Sequence, residues 1–299
     1  MQDPAATPLP LIRRCLLAWG AVVVCAAATA LTLVARDTTS PREMSGTPLR
    51  AGYALEAPYA FRDAQGQLRG EAVDTLRVAL RRAGLPEPVW VHVEFARLLH
   101  ELHGGRIDVV AAGMFITPQR AAQAAFTRPT TSVRTALLVP DGNPLRLHAL
   151  ADLRRAAGAR LAVLEGSVEL QQAQAAGLLD TQLLRLPDPA TALTAVRTGQ
   201  AAAFALSAPS LRWILRDTPG LALAEPFATP QHLGQPDIGY PAFVFRPGDP
   251  RQAAVDQALS GFLGSADHLR LVADYGFSST DVATAHGMSP PPHAVAVSP

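Results

Sequence analysis

A chain of 299 residues carrying 26 basic against 25 acidic side chains, formal charge +1, has no basic excess to grip nucleic acid. Every Lys/Arg position is arginine, which excludes lysine Schiff-base and P-loop lysine chemistry. The two cysteines, Cys15 and Cys25, both lie in an N-terminal apolar stretch, so the rest of the chain has neither a disulfide nor a thiolate metal site. The length provides for one two-lobed unit or two domains with real cores.

Arg13-Arg14 precede an uncharged apolar stretch from Cys15 to Ala35, long enough to span a bilayer, with Arg36-Asp37 behind it. Residues 1–36 therefore read as a signal peptide or a membrane anchor, and either one exports the bulk of the chain. Ala28-Thr29-Ala30 offers small residues for cleavage, whereas the apolar run through Leu31–Val34 favours an uncleaved anchor. Residues 37–47 are polar and rich in Pro, Ser and Thr, a linker.

Leu49–Ala54 reads as the first strand, followed by the loop Leu55–Phe61 and a turn at Asp63-Ala64-Gln65-Gly66. Helical spacing of Val73, Leu76 and Leu80 marks an amphipathic helix ending near Gly84. Val89, Val91 and Val93 alternate with polar or larger residues as a second strand, and Phe95 falls at its carboxyl end, before a helix through Leu98, Leu99 and Leu102.

Ile107–Ala112 is a short apolar run with the look of a buried parallel strand. Gly113 permits a sharp turn off its end. Thr117-Pro118 is a helix start, with a hydroxyl N-cap and proline at the first helical position. Arg120 in that first turn opposes the helix dipole, a poor choice for stability but a good one for an anion clamp. Strand, helix, strand, helix, strand is a doubly wound α/β pattern, and ligands bind such sheets beyond the carboxyl ends of their strands. Glu56, Tyr59, Phe95, Phe115 and Arg120 all fall at or just after such ends.

The pattern then recurs loosely. Leu98–Ala112 and Ala192–Ala205 share a helix, a glycine followed by a polar residue, and a small-residue strand. Between them come a strand at Leu161–Leu164, a helix opened by Glu165-Gly166-Ser167, and a strand near Leu183-Leu184. The expected organisation is a first lobe of residues 48–138 and 240–283, a second lobe of residues 139–239, and a disordered Pro/His-rich tail of residues 284–299. Thr135–Val139 and Ala242–Phe245 are the expected crossings between the lobes, making a hinged cleft.

The run Gly105-Arg106-Ile107-Asp108 with Ala112-Gly113-Met114-Phe115-Ile116-Thr117-Pro118-Gln119-Arg120 resembles the solute-binding proteins of ABC importers, polar amino acid type (family 3). The resemblance covers about Leu49 to Val282 and implies a periplasmic binding protein type II fold. Within that family the chain is most similar to ectoine/hydroxyectoine-binding proteins, through Glu56-Ala57-Pro58-Tyr59, Glu94-Phe95, Ala111–Pro118, Gly239–Arg246, and His268-Leu269 through Tyr275-Gly276-Phe277. The resemblance implies that Thr117 and Arg120 hold a ligand carboxylate, helped by N–H groups at Gly166, Ser167 and Val168. It also implies an aromatic box of Tyr59, Phe95 and Phe115 around a delocalised cation, with Glu56 bonding its N–H. The acid that usually holds an α-ammonium after the second-lobe strand is missing from Ala205-Leu206-Ser207-Ala208. The expected partners are a small zwitterion and an ABC permease, with the membrane itself if the N-terminal helix is uncleaved. No cofactor, metal or nucleic acid is expected.

Each site residue has a duller reading. Phe95 and Phe115 suit a core, Tyr59 a stapled loop, Glu56 a solvated loop, and Ser167 a simple N-cap. Two rival functions stand beside transport: a membrane-tethered sensor, and an enzyme resembling the cyclohexadienyl dehydratases that use the same fold. The chain has no G-x-S-x-G and no phosphate loop, and His100 and His103, three apart on a helix, read as a solvated face.

Overall fold

The computed structural model describes residues 46–232, 235–285 and 288. The export segment, most of the linker and nearly all of the expected tail lie outside the described residues. Among the described residues no helix is long and apolar enough to cross a membrane. The last helix, Ser279–Ala285, runs two residues into the stretch expected to be tail, because Val282 and Ala285 are buried.

Two mixed sheets carry the architecture. The first has the strand order Val89–His92, Arg50–Tyr53, Val109–Val110, Val244–Phe245, Ala125–Phe126. Its first three strands are parallel, and Val244–Phe245 runs antiparallel to both neighbours. The second sheet has the order Leu221–Leu223, Val133–Pro140, Ala203–Ser207, Leu161–Leu164, Leu183–Leu186, its last three strands parallel. In chain order within each half, the parallel strands lie 2-1-3. Each sheet thus reverses direction beside its first strand, which is where doubly wound sheets open a crevice.

The parallel strands form because both of their faces are covered, which rewards continuous apolar runs over alternation. Leu161 and Val163 enter one core with Leu137, Val139, Ala203 and Ala205. Their neighbours Ala162 and Leu164 enter the opposite core with Leu138, Phe204 and Leu206. Full burial of each Leu or Val is worth about 1.5–3 kcal/mol. The loose internal repeat is a real structural one: Leu98–His103 and Pro189–Arg197 both lead, through glycines at φ 67° (Gly105) and 71° (Gly199), into the third parallel strand of their sheet.

One expected crossing is displaced. The Val133–Pro140 strand makes the outward pass, but the return pass is Ile238–Gly239, which pairs with Arg134 and Val133. Val244–Phe245 instead lies inside the first sheet, since two adjacent side chains that are both fully buried need cover on both faces. Asp108 ties this returning segment to the first strand. Burial alone would raise its carboxyl, yet bonds from Arg50 and Arg246 outweigh that and hold it well below the usual carboxylate range. The aspartate of the Gly105–Asp108 motif is therefore a structural staple.

Two groups make the fold sensitive to substitution. Gly113 sits at φ 63°, and a Cβ there would lie 2.6 Å from the Tyr59 ring. Left-handed strain and overpacking add, so Gly113→Ala should cost at least about 2 kcal/mol. An unchanged midpoint in chemical denaturation would rule this out. Glu71, at the start of the Glu71–Arg82 helix, is fully buried, and burial pushes its carboxyl up to about 7, with the Thr130 hydroxyl offsetting part of the rise. Because the folded value exceeds the unfolded one of 4.5, folding takes up a proton between these limits. The contribution is favourable at low pH and is lost as pH rises through about 7. Glu71→Gln should flatten this slope and gain up to about 3 kcal/mol at pH 8 relative to pH 4, read from denaturation curves at the two pH values; parallel wild-type and variant pH profiles would refute it.

Candidate functional site

The loops that leave the parallel strands of both sheets converge on one cavity. From the first sheet come Glu56 after Arg50–Tyr53, Phe95 after Val89–His92, and Gly113, Phe115 and Arg120 after Val109–Val110. From the second come Leu164, Ser167, Val168 and Glu169 at the end of Leu161–Leu164, with Leu206 and Ser207 closing Ala203–Ser207. The cavity therefore sits at the reversal point of both sheets at once, as the 2-1-3 order requires.

Arg120 is the centre of the wall. It is 6 % exposed, and its terminal nitrogens donate to the Phe115 carbonyl at 2.8 Å and, across the cavity, to the Gly166 carbonyl at 2.9 Å. Its guanidinium carbon lies 5.8 Å from the centre of the Phe95 ring. Among the described residues no carboxylate forms an ion pair with it. Burial pushes it down to about 10, and Glu169 pulls the other way from a distance, so it stays charged at neutral pH. A buried cation hydrogen-bonded to carbonyls and in no ion pair is a strong attractor for an incoming carboxylate.

Glu56 faces it from the first loop, accepting a hydrogen bond from the Ser210 hydroxyl at 2.8 Å. Burial is the main cause that pushes Glu56 up to about 8, and the charge of Glu169 adds to it. Ser207 Oγ donates to Ser210 Oγ at 2.9 Å, completing a relay that joins the second sheet to Glu56. The Arg120–Gly166 and Glu56–Ser210 bonds both tie first-sheet loops to second-sheet loops, so this is a closed arrangement that must part to admit a ligand.

Of the residues expected from sequence, Glu56, Phe95, Phe115, Arg120, Ser167 and Val168 reach the cavity wall. Gly166 contributes its carbonyl to Arg120. Tyr59 is not on the wall: it is 1 % exposed, lies beneath Gly113 and meets the Phe277 ring edge-on at 5.7 Å. It supports the floor, which leaves two aromatics, Phe95 and Phe115, facing the space. Thr117 caps its helix, its Oγ1 accepting from Arg120 N at 3.2 Å, and is also off the wall. That helix, Pro118–Ala121, is a single turn, so the guanidinium outweighs any helix dipole as the anion-binding element. Phe115 is held flat because Gly239, on the return pass, has no side chain; a Cβ there would come within 2.3 Å of the ring. His103 bonds the Gln123 carbonyl at 2.9 Å, and among the described residues no cluster of His, Cys, Asp and Glu is placed to hold a metal.

Leu164, Leu206 and Ser207 join the wall without having been expected there, and Glu169 is the charged wall residue that sequence reasoning missed. It follows the N-cap Ser167 in the first turn of Val168–Ala175, a place where an acid is ordinarily explained by the helix dipole. Here it is 4 % exposed and lines the cavity, and burial pushes its carboxyl up, with its own amide, the Ser167 hydroxyl and Arg120 opposing.

A family model described as bacterial extracellular solute-binding proteins, family 3, matches residues 49–275. A probable amino-acid ABC transporter periplasmic-binding protein from Sinorhizobium fredii is 29 % identical over 233 residues, 77 % of each chain. Among solved structures, EhuB in complex with hydroxyectoine superposes with a TM-score of 0.73 at 24 % identity, covering 83 % of this chain and 93 % of its own. An ancestral arginine-binding protein bound to arginine gives 0.66 at 22 %, covering 78 % and 99 %. At these identities the structural likenesses carry the fold, a periplasmic binding protein of two α/β lobes. The family is one of transport proteins and not of enzymes, and its place is outside the cytoplasm. The chain belongs to the bacterial extracellular solute-binding proteins of family 3.

Proposed function

We propose that this member of the amino-acid-type ABC binding proteins captures a small zwitterion of the ectoine/hydroxyectoine kind between its lobes and delivers it to an ABC permease. The observation that carries the reading is Arg120, a buried cation without a carboxylate partner, flanked by Phe95 and Phe115 and faced by Glu56. The ligand carboxylate goes to Arg120. Its ring lies against the two phenyl faces, where a delocalised cation gains about 0.5–2 kcal/mol per good contact. Glu56 accepts an N–H of that cation. Binding replaces the Arg120–Gly166 and Glu56–Ser210 bonds with bonds through the ligand, so ligand affinity and lobe closure are one equilibrium. Lobe one is residues 48–138 and 240–283 and lobe two residues 139–239, with the binding loops drawn from both.

Calorimetric titration of the purified protein with ectoine, hydroxyectoine, glycine betaine and a panel of amino acids tests the reading. Ectoine or hydroxyectoine should bind most tightly, and both Arg120→Ala and Phe115→Ala should weaken that binding at least about tenfold, a loss of about 1.4 kcal/mol or more. Tighter binding of an ordinary amino acid would replace the ectoine assignment. Turnover of a cyclic amino-acid analogue would overturn transport as the function. Residues 1–36 export the chain as a signal peptide or as a membrane anchor; an intact mass of the purified protein that includes them would show the anchor, and a mass starting after Ala30 would show cleavage.

A further inference from the structure

Strand order puts Glu56 and Glu169 in matching places. Each follows the first parallel strand of its own sheet, Arg50–Tyr53 and Leu161–Leu164, and each lines the same cavity from its own side. Their charges act on one another across that space. Arg120 is the cavity's one cationic wall residue among those described, so the wall holds two acids for one base. The end of Ala203–Ser207 contributes no acid to the wall: Leu206 is apolar, and the Ser207 hydroxyl is already spent on Ser210.

We infer that Glu169 supplies the second-lobe acid that the Ala205–Ala208 loop lacks, and that Glu56 and Glu169 together select ligands whose cationic group carries N–H donors on two sides. This rests on the proposed carboxylate–Arg120 contact. The chemistry is that of the carboxylate. Glu169 is buried and Glu56 half-buried, and their donors in the closed structure are a hydroxyl each and an amide. A ligand that displaces these must bring hydrogen-bond donors as well as positive charge, because a desolvated carboxylate oxygen without a donor is costly. A primary ammonium or a cyclic amidinium presents such donors to both. A quaternary ammonium presents methyl groups to both and leaves each acid unpaired, whatever the aromatic faces contribute. Glu169 is thus a residue that turns a site with aromatic walls, which would otherwise suit any small zwitterion, against fully methylated solutes.

The experiment titrates full-length wild type, Glu169→Gln and Glu165→Gln with ectoine, an amino-acid panel and glycine betaine, alongside melting temperatures. Glu165 is the exposed acid on the same loop, paired at 3.8 Å with Arg185 and off the cavity wall. Wild type should bind its best N–H-bearing ligand at least a hundredfold more tightly than glycine betaine. Glu169→Gln should weaken that ligand at least tenfold and narrow the margin over glycine betaine, while Glu165→Gln leaves both unchanged. A Glu169→Gln protein with a lowered melting temperature and unaltered affinities would make Glu169 a helix-start stabiliser and overturn the inference. Equal binding of glycine betaine by wild type, or silence toward every N–H-bearing solute, would overturn it too. The outcomes separate the two readings: loss of ectoine binding in Arg120→Ala with none in Glu169→Gln keeps the proposed function and rejects this inference. Amino-acid binding that depends on Glu169, without ectoine binding, does the reverse.

Discussion

A guanidinium buried with no ion-pair partner is the constraint around which the site is arranged. Arg120 is held by two carbonyls, one from the strand-end loop that precedes it and one from the opposite lobe. Carbonyl dipoles solvate a cation but do not neutralise it, so the closed protein keeps a place for negative charge at its centre. The same bond to Gly166 is a latch between lobes. An anion that competes for the guanidinium therefore acts on closure as well as on its own binding.

Around that cation the fold repeats one geometric idea twice. A 2-1-3 strand order leaves a gap beside the first strand, and the carboxyl-end loops on either side of the gap face each other. With one such gap in each lobe, the loops of the two lobes meet, and residues far apart in the chain become neighbours. Glu56 and Ser210 bond across 154 positions and Arg120 and Gly166 across 46. Small residues make the meeting possible. Gly113 lets Tyr59 slide beneath the floor, and Gly239 lets the Phe115 ring lie against the return pass.

The polar groups divide by what they are bonded to. Asp108 has arginine partners on three sides of the first lobe and is a staple, with its carboxyl held down. Glu56 and Glu169 are bonded only by hydroxyl and amide donors, with Arg120 attracting Glu169 without forming an ion pair, and burial pushes both up. Glu71 is raised by burial as well but lies away from the cavity, so it is the place on the wall, and not the shift alone, that sets Glu56 and Glu169 apart.

Much of the secondary structure, and the strand-end positions of the candidate site residues, could be read along the chain. Continuous apolar runs such as Leu161–Leu164 demanded burial on both faces, Gly105 and Gly199 marked the same turn twice, and Thr117-Pro118 announced a helix start. Local chemistry and periodicity are enough for such features, because each depends on residues a few positions apart. Arg120, Glu56, Phe95 and Phe115 were legible as strand-end residues for the same reason. Which of them share a wall depends on how the two sheets are set against each other. The tertiary structure took Tyr59 below the floor and left Thr117 as a cap, set the return pass at Ile238–Gly239 and not at Ala242–Phe245, and brought Glu169 into the cavity. Each of those outcomes hangs on which loops face one another when the two sheets close, and a contact between distant loops leaves no mark on the neighbours of either residue in the chain.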